Sequence, residues 1–142
     1  MITVLAKTLL KKRKEYYEQL GKASVTLDIN DWLLWFAEIV LEAQENTNSW
    51  VHWIIEKASF MRKAQNQINE RQTKVLLRLF RAGLDGFIGG LSAKNYMSIT
   101  GATIATTTRD LRDLVEKRLL YKTGERKATR YYLKLNIPGK QA

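Results

Sequence analysis

The pattern that most restricts the fold of this chain lies near its C-terminus. A short helical segment begins at Ser92 and leads through a turn containing Gly101 into a second helix, which begins at Thr103. Two strand-like segments follow, at residues 119–123 and 129–135, with a basic loop between them. Helix, glycine turn, helix and hairpin in this order predict a winged helix-turn-helix.

The second helix has the features of a recognition helix. Thr103 is a fitting N-cap, because a threonine hydroxyl can accept from the first free amides. Small and hydroxyl side chains near the start permit close approach to DNA, and arginines further on can reach a phosphate or a guanine edge. The candidate DNA-binding residues of this helix are Thr103, Ala105, Thr106, Arg109 and Arg112. Asp113 and Glu116 are expected on the same face, opposite a buried face of Thr107, Leu111, Leu114 and Val115. An ordinary amphipathic helix whose charges only solvate it is the alternative.

The predicted hairpin favours the DNA-binding interpretation. In its second strand Tyr131, Leu133 and Leu135 alternate with polar or half-polar residues. The loop contains Gly124, which permits a tight turn. Three basic residues in and beside the loop are candidates for contact with phosphate or a minor groove, namely Arg126, Lys127 and Arg130. Winged helices also serve as protein-contact modules, so that reading stays open.

The charge of the chain is divided unevenly. Residues 1–58 carry seven Lys or Arg and eight Asp or Glu, a net of −1. Residues 59–142 carry seventeen basic and six acidic residues, a net of +11. The excess positive charge therefore coincides with the helix-turn-helix pattern and favours a polyanionic partner. A basic surface that is only well solvated is the alternative.

The first domain, residues 1–66, is predicted to be a helical segment. Helix is expected over residues 2–20, a loop over residues 21–27, and a second helix with Asn30 as its N-cap. The polar residues 46–49 either break this helix or let it run on. All four tryptophans lie within the segment and are expected to anchor helix packing instead of stacking on bases.

The second domain, residues 67–142, is predicted to be the winged helix-turn-helix. Its first helix is expected from Glu70 to Arg81, with Arg71 pointing outward, and glycines between Gly83 and Gly90 mark a connection. The predicted fold class is therefore mainly α, an N-terminal helical segment packed against a C-terminal winged helix-turn-helix with a small β-hairpin wing.

Several function classes receive no support from the sequence. No cysteine is present, so disulfides and thiolate metal sites are excluded. The N-terminus does not resemble a signal peptide, and the longest apolar run is too short to span a bilayer. We expect a soluble, cytoplasmic protein with no membrane partner, no cofactor, no metal site and no catalytic residue.

Four segments carry a resemblance to one family. Residues 13–20 (RKEYYEQL) and 28–36 (DINDWLLWF) resemble the region that follows the catalytic motif in bacterial Fic-family proteins. Residues 68–72 (INERQ) and 106–111 (TTTRDL) resemble the C-terminal winged helix that many of those proteins carry. The resemblance covers nearly the whole chain, with its motifs in the expected order.

What the resemblance implies is a module that lies beyond an active site. Fic domains transfer a nucleotide monophosphate, usually AMP, to a protein hydroxyl, through a His-Pro-Phe motif and a Gly-Asn-Gly-Arg anion-binding loop. This sequence contains neither, and its single histidine, His52, has no Pro-Phe after it. A general base without a phosphate cradle cannot perform that reaction. His52 is therefore expected to be a surface or packing residue.

Two hypotheses follow from these patterns. The first is a noncatalytic module of a Fic-family protein that binds duplex DNA, in keeping with a role in transcription regulation. The second is a regulatory or dimerisation module that contacts protein, either the catalytic core of a Fic enzyme or a second copy. Two departures from the family pattern, Ile104 after the cap and Glu125 in the wing, favour a binder that grips phosphates with little sequence selectivity.

Overall fold

The structure, a computed structural model, describes residues 4–136. It is mainly helical, with one two-stranded antiparallel sheet in that part of the chain. The helices are α1 (Val4–Lys11), α2 (Arg13–Thr26), α3 (Asn30–Ala64), α4 (Glu70–Phe80), α5 (Ala93–Thr100) and α6 (Ile104–Glu116). The strands are β1 (Leu120–Thr123) and β2 (Arg130–Leu133). The chain divides into two compact units between Val51 and His52, inside α3, whereas the sequence predicts a boundary after residue 66.

The first unit differs from the prediction at its helix ends. Lys12 forms a turn that separates α1 from α2, where the sequence predicts one helix over residues 2–20; residue 2 lies outside the described range. The predicted loop at residues 21–27 is wrong. Gly21 lies inside α2, and the helix ends only at Leu27, whose left-handed backbone (φ 57°) terminates it. A single glycine weakens a helix without ending it.

The long helix α3 runs through the polar residues 46–49. The hydroxyls of Thr47 and Ser49 donate to carbonyl oxygens four residues earlier, at 2.8 and 3.0 Å, so these side chains are accommodated on the helix surface. The predicted N-cap Asn30 is instead the first helical residue, and its amide donates to the Asp28 carboxylate at 3.0 Å.

The second unit has one apolar core. Phe80 of α4 lies at its centre and receives edge-on ring contacts from Trp53 and Phe60, with centroids 6.2 and 5.3 Å away. The core is completed by residues of α5, α6, β1 and the segments before α5 and β1, including Leu91, Tyr96, Leu111, Leu114, Leu119 and Leu120. Trp53 thus anchors helix packing as predicted, because the second half of α3 belongs to this core.

Local capping fixes the helix-turn-helix. Ser92 and Asn95 form a reciprocal capping box at the start of α5. Gly101 ends α5 in the left-handed region (φ 71°), and Thr103 caps α6 two residues later. These starts and the glycine turn confirm the prediction from the sequence.

The wing is a hairpin with an added bridge. β1 and β2 pair antiparallel, with Leu120 opposite Leu133, and Leu91 exchanges two backbone hydrogen bonds of 2.9 Å with Tyr131. Gly90 permits this approach, because a Cβ there would lie 2.6 Å from the Tyr132 ring. The fold is therefore a winged helix-turn-helix preceded by helices.

No helix within residues 4–136 combines the length and the apolar character needed to cross a membrane.

Candidate nucleic-acid interface

The N-terminus of α6 is held by threonine hydroxyls. Thr103 Oγ1 accepts from the Thr106 amide at 3.3 Å and donates to Thr106 Oγ1 at 3.1 Å. The predicted pair Thr103 and Thr106 is thus brought together at the helix start. Ala105, between them, is exposed, so the backbone of the first turn is open to close approach.

The outward face of α6 carries two of the predicted arginines, of which one is paired with a carboxylate and the other is not. Arg109 is exposed and makes no ion pair with any residue from 4 to 136. Arg112 donates to Glu116 at 2.8 Å, and both side chains remain open to water, 80% and 62% exposed. Since exposed ion pairs of this spacing contribute only a few tenths of a kcal/mol, about 0.3–0.5, a phosphate can compete with Glu116 for Arg112.

The inward face of α6 contains a carboxylate that the sequence patterns do not single out. Asp110 is only 3% exposed. Arg71 of α4 holds it with two bonds, Nε to Oδ2 at 2.9 Å and Nη2 to Oδ1 at 3.3 Å. The Tyr96 hydroxyl of α5 donates to Oδ2 at 2.9 Å, and Asn69 Nδ2 donates to Oδ1 at 3.3 Å. One side chain therefore ties α6 to α5 and to the start of α4.

Two predicted orientations are corrected by this cluster. The sequence predicts that Arg71 points outward from α4, but it turns to Asp110 because a buried carboxylate requires a cation or several donors. Asp113 is predicted on the DNA-facing side; it is half-buried and accepts from Gln72 Nε2 at 2.7 Å and Lys117 Nζ at 2.6 Å. Asp113 is thus a packing residue at the edge of the α4 contact.

The pKa values of these groups follow from their neighbours. Burial alone raises the pKa of Asp110, but hydrogen bonds from Arg71 and Tyr96 outweigh it and hold that pKa below 3.8. The Lys117 ammonium lowers the pKa of Asp113 in the same sense. Burial, followed by the bond to Asp110, raises the pKa of the Tyr96 hydroxyl. At neutral pH the cluster is therefore an anion surrounded by donors.

The loop at the tip of the wing contains two residues with left-handed backbone conformations. Gly124 adopts φ 69°, and a Cβ at this position would lie 2.5 Å from the Ala128 carbonyl oxygen. Arg126 also adopts a left-handed backbone, with φ 49°. Its side chain and that of Lys127 are exposed and form no ion pair within the described residues. Both predicted loop cations are thus presented to solvent.

Arg130, the third predicted cation of the wing, also forms hydrogen bonds within the loop. Arg130 Nη1 donates to the carbonyl oxygens of Thr129 at 2.8 Å and Lys127 at 3.2 Å. Its guanidinium therefore stabilises the loop. A guanidinium has five N–H donors, so the remaining donors can still bond to a phosphate.

Two further points from the sequence concern His52 and metal binding. His52 is an exposed residue of α3. Among residues 4–136, no three His, Cys, Asp or Glu side chains lie together in a way that could hold a metal ion.

Comparison with known proteins adds no family assignment. No protein-family model matches the sequence, and no significant match was found among curated proteins.

Proposed function

We propose that this chain is a noncatalytic DNA-binding module that grips duplex DNA through α6 and the wing. The observation that carries the proposal is the contrast in how its cations are used. Arg71 and Lys117 are paired with carboxylates of the inner cluster, whereas Arg109, Arg126 and Lys127 are exposed and unpaired within residues 4–136. Unpaired cations on a recognition helix and its wing are suited to phosphate contact.

The charge balance supports the same proposal. Residues 59–142 carry a net charge of +11. Phosphate contacts release condensed counterions, so most of the affinity of such a module is electrostatic and depends on salt. Glu116 and Glu125 reduce the positive field of the binding face, which favours moderate affinity.

The experiment is a fluorescence-anisotropy titration of the full chain with a labelled duplex at several salt concentrations. The double variant Arg109→Ala, Arg126→Ala should bind more weakly, and the magnitude of its log–log salt slope should fall by roughly 0.9 for each phosphate that the protein no longer neutralises. The matched control is Lys7→Ala, Lys22→Ala, which removes two exposed cations from α1 and α2. Absent binding at low salt, or equal slopes for both double variants, contradicts the proposal.

A second candidate function is an assembly module that binds protein. The observation that favours it is the apolar surface of the first unit, where α2 has no buried residue. Large apolar side chains exposed in the first unit include Leu20, Val25, Leu27, Ile29, Leu33, Leu34 and Leu41. Extensive exposed apolar surface marks an interaction site more often than a free surface.

The resemblance to Fic-family proteins gives this second candidate its partner class. In that proposal the first unit binds a catalytic core of the Fic type or a second copy of the chain, and the winged helix regulates it. Analytical ultracentrifugation across a wide range of concentrations tests the second copy. A monomer throughout, with Leu34→Ser and Leu41→Ser leaving solubility unchanged, contradicts a self-assembly surface.

A further inference from the structure

The side chain of Ile104 takes no part in the core of the second unit. Ile104 is the first residue of α6, directly after the cap Thr103, and its side chain is 73% exposed. It is not among the residues that form or pad the core. Ala105 beside it is exposed as well, so the outward start of the helix is apolar.

The position of this apolar pair restricts what can cover it. Arg109 lies one turn after Ala105 on the same helix and is exposed. Arg126 and Lys127 of the wing belong to the same positively charged unit. A neutral apolar partner would leave these cations without a counter-charge, whereas duplex DNA offers phosphates to the cations. DNA is therefore the occupant that matches both parts of the surface.

Duplex DNA offers one prominent apolar group in its major groove. This is the methyl group at C5 of thymine, which apolar side chains contact in direct readout. Cytosine presents the same group when it is methylated at C5. The first turn of a recognition helix is the part that approaches base edges, and Ile104 occupies that turn.

We infer that Ile104 is a specificity-determining residue that contacts the C5 methyl group of a pyrimidine in the major groove. The inference rests on the proposed DNA-binding function and differs from the expectation drawn from the family resemblance. There Ile104 counts against sequence-selective base reading because the family pattern often has a polar or basic residue at this position. Because its side chain is exposed, Ile104 can contact the C5 methyl group, the apolar group of the major groove.

The test compares duplexes that differ only in this methyl group. The full chain is titrated against an alternating A·T duplex and against the same duplex with uracil in place of thymine. Wild type should bind the thymine duplex about fourfold more tightly for each methyl contacted, the ratio expected for burying one methyl group. A G·C duplex with and without C5-methylated cytosine forms the second arm and identifies which pyrimidine supplies the methyl.

Two variants assign the effect to Ile104. Ile104→Ala should lose most of the preference for the thymine duplex, because the substitution removes three of the four side-chain carbons that can contact the methyl group. The matched control is Ile88→Ala, which removes an even more exposed isoleucine (93%) from the glycine-rich connection and should keep the preference. Using both duplexes with both proteins cancels differences in duplex shape. Thermal unfolding of each variant checks that the fold is retained.

The outcomes separate this inference from the function on which it rests. If no duplex binds at low salt, the DNA-binding function itself is wrong. If wild type binds DNA but shows no methyl preference in either arm, or if Ile104→Ala keeps the preference, DNA binding stands and the role of Ile104 is overturned. If Ile104→Ala changes oligomeric state and leaves DNA binding unchanged, the residue contacts protein and the inference is overturned.

Discussion

The inner and outer faces of α6 both carry an acidic residue paired with an arginine, and the two pairs do different things. Asp110 is buried and accepts bonds from Arg71, Tyr96 and Asn69, whereas Glu116 is exposed and pairs only with Arg112 within the described residues. A buried carboxylate that loses its donors is costly, but an exposed pair contributes little. The inner pair therefore orients the helix, and the outer pair sets the charge that this face of α6 shows to solvent.

Removing the inner carboxylate should have the largest effect on stability. Asp110→Ala leaves Arg71 and the Tyr96 hydroxyl without their acceptor, and we expect a loss of about 3 kcal/mol in the free energy of unfolding. Glu116→Ala is the matched control and should change it by less than about 0.5 kcal/mol. Urea unfolding followed by tryptophan fluorescence measures both. Similar losses for the two variants would contradict the division between the faces.

Removing one donor should have a smaller effect. Tyr96→Phe keeps the ring in the core and deletes only the hydroxyl that donates to Asp110 at 2.9 Å. We expect a loss of about 1.5–2 kcal/mol, as for a hydrogen bond to a charged group. Combined with Asp110→Ala, the loss should be less than the sum, since the two variants remove the same bond. Full additivity in this double-mutant cycle would show that the hydroxyl acts elsewhere.

Acid should weaken the inner face through protonation. The pKa values of Asp110 and Asp113 are lowered in the folded protein, so the stability they contribute is present above the ordinary aspartate pKa of 3.8. It is lost as pH falls below about 4 and through the lowered values. Unfolding midpoints measured across this range should fall steeply in wild type and less steeply in Asp110→Asn. Parallel pH profiles would exclude Asp110 as the source.

A substitution on the outer face should change the affinity for DNA and have the smallest effect on the free energy of unfolding. Glu116→Gln removes a negative charge and releases Arg112, so binding to duplex DNA should become a few-fold tighter at low salt and the difference should shrink as salt rises. The free energy of unfolding should change by less than about 0.5 kcal/mol. Anisotropy titrations at two salt concentrations measure the first quantity. Unchanged binding at both salt concentrations would place Glu116 outside the interface, and weaker binding would mean that its pair with Arg112 favours binding.

Signals within a few neighbouring residues made much of the fold predictable. Ser92 and Thr103 indicate helix starts by their hydroxyls, and Gly101 indicates the turn because the left-handed backbone favours glycine. The loop predicted at residues 21–27 is wrong because the local signal there is weak. Gly21, Ser24 and the β-branched Val25 and Thr26 have lower helix propensity than Ala or Lys, but the helix continues through them.

The site was predictable in composition but not in pairing. Asp110 shares the helical phase of the buried Thr107, Leu111 and Leu114, which was the available signal that it points inward. Its partner Arg71 lies 39 positions earlier in the sequence, and no local rule links two such residues. Which arginines stay unpaired within residues 4–136 depends on such distant pairings, and the sequence alone does not show them.

The bridge between Leu91 and Tyr131 has a consequence for the order of folding. It closes a loop that contains α5, the glycine turn, α6 and β1, so closing it early carries a high entropic cost. The contact between α5 and α6 is closer in sequence, since Tyr96 and Asp110 are 14 positions apart, and such contacts form sooner. A chain that leaves the ribosome stepwise is therefore expected to complete the wing last, with α5 and α6 already packed together.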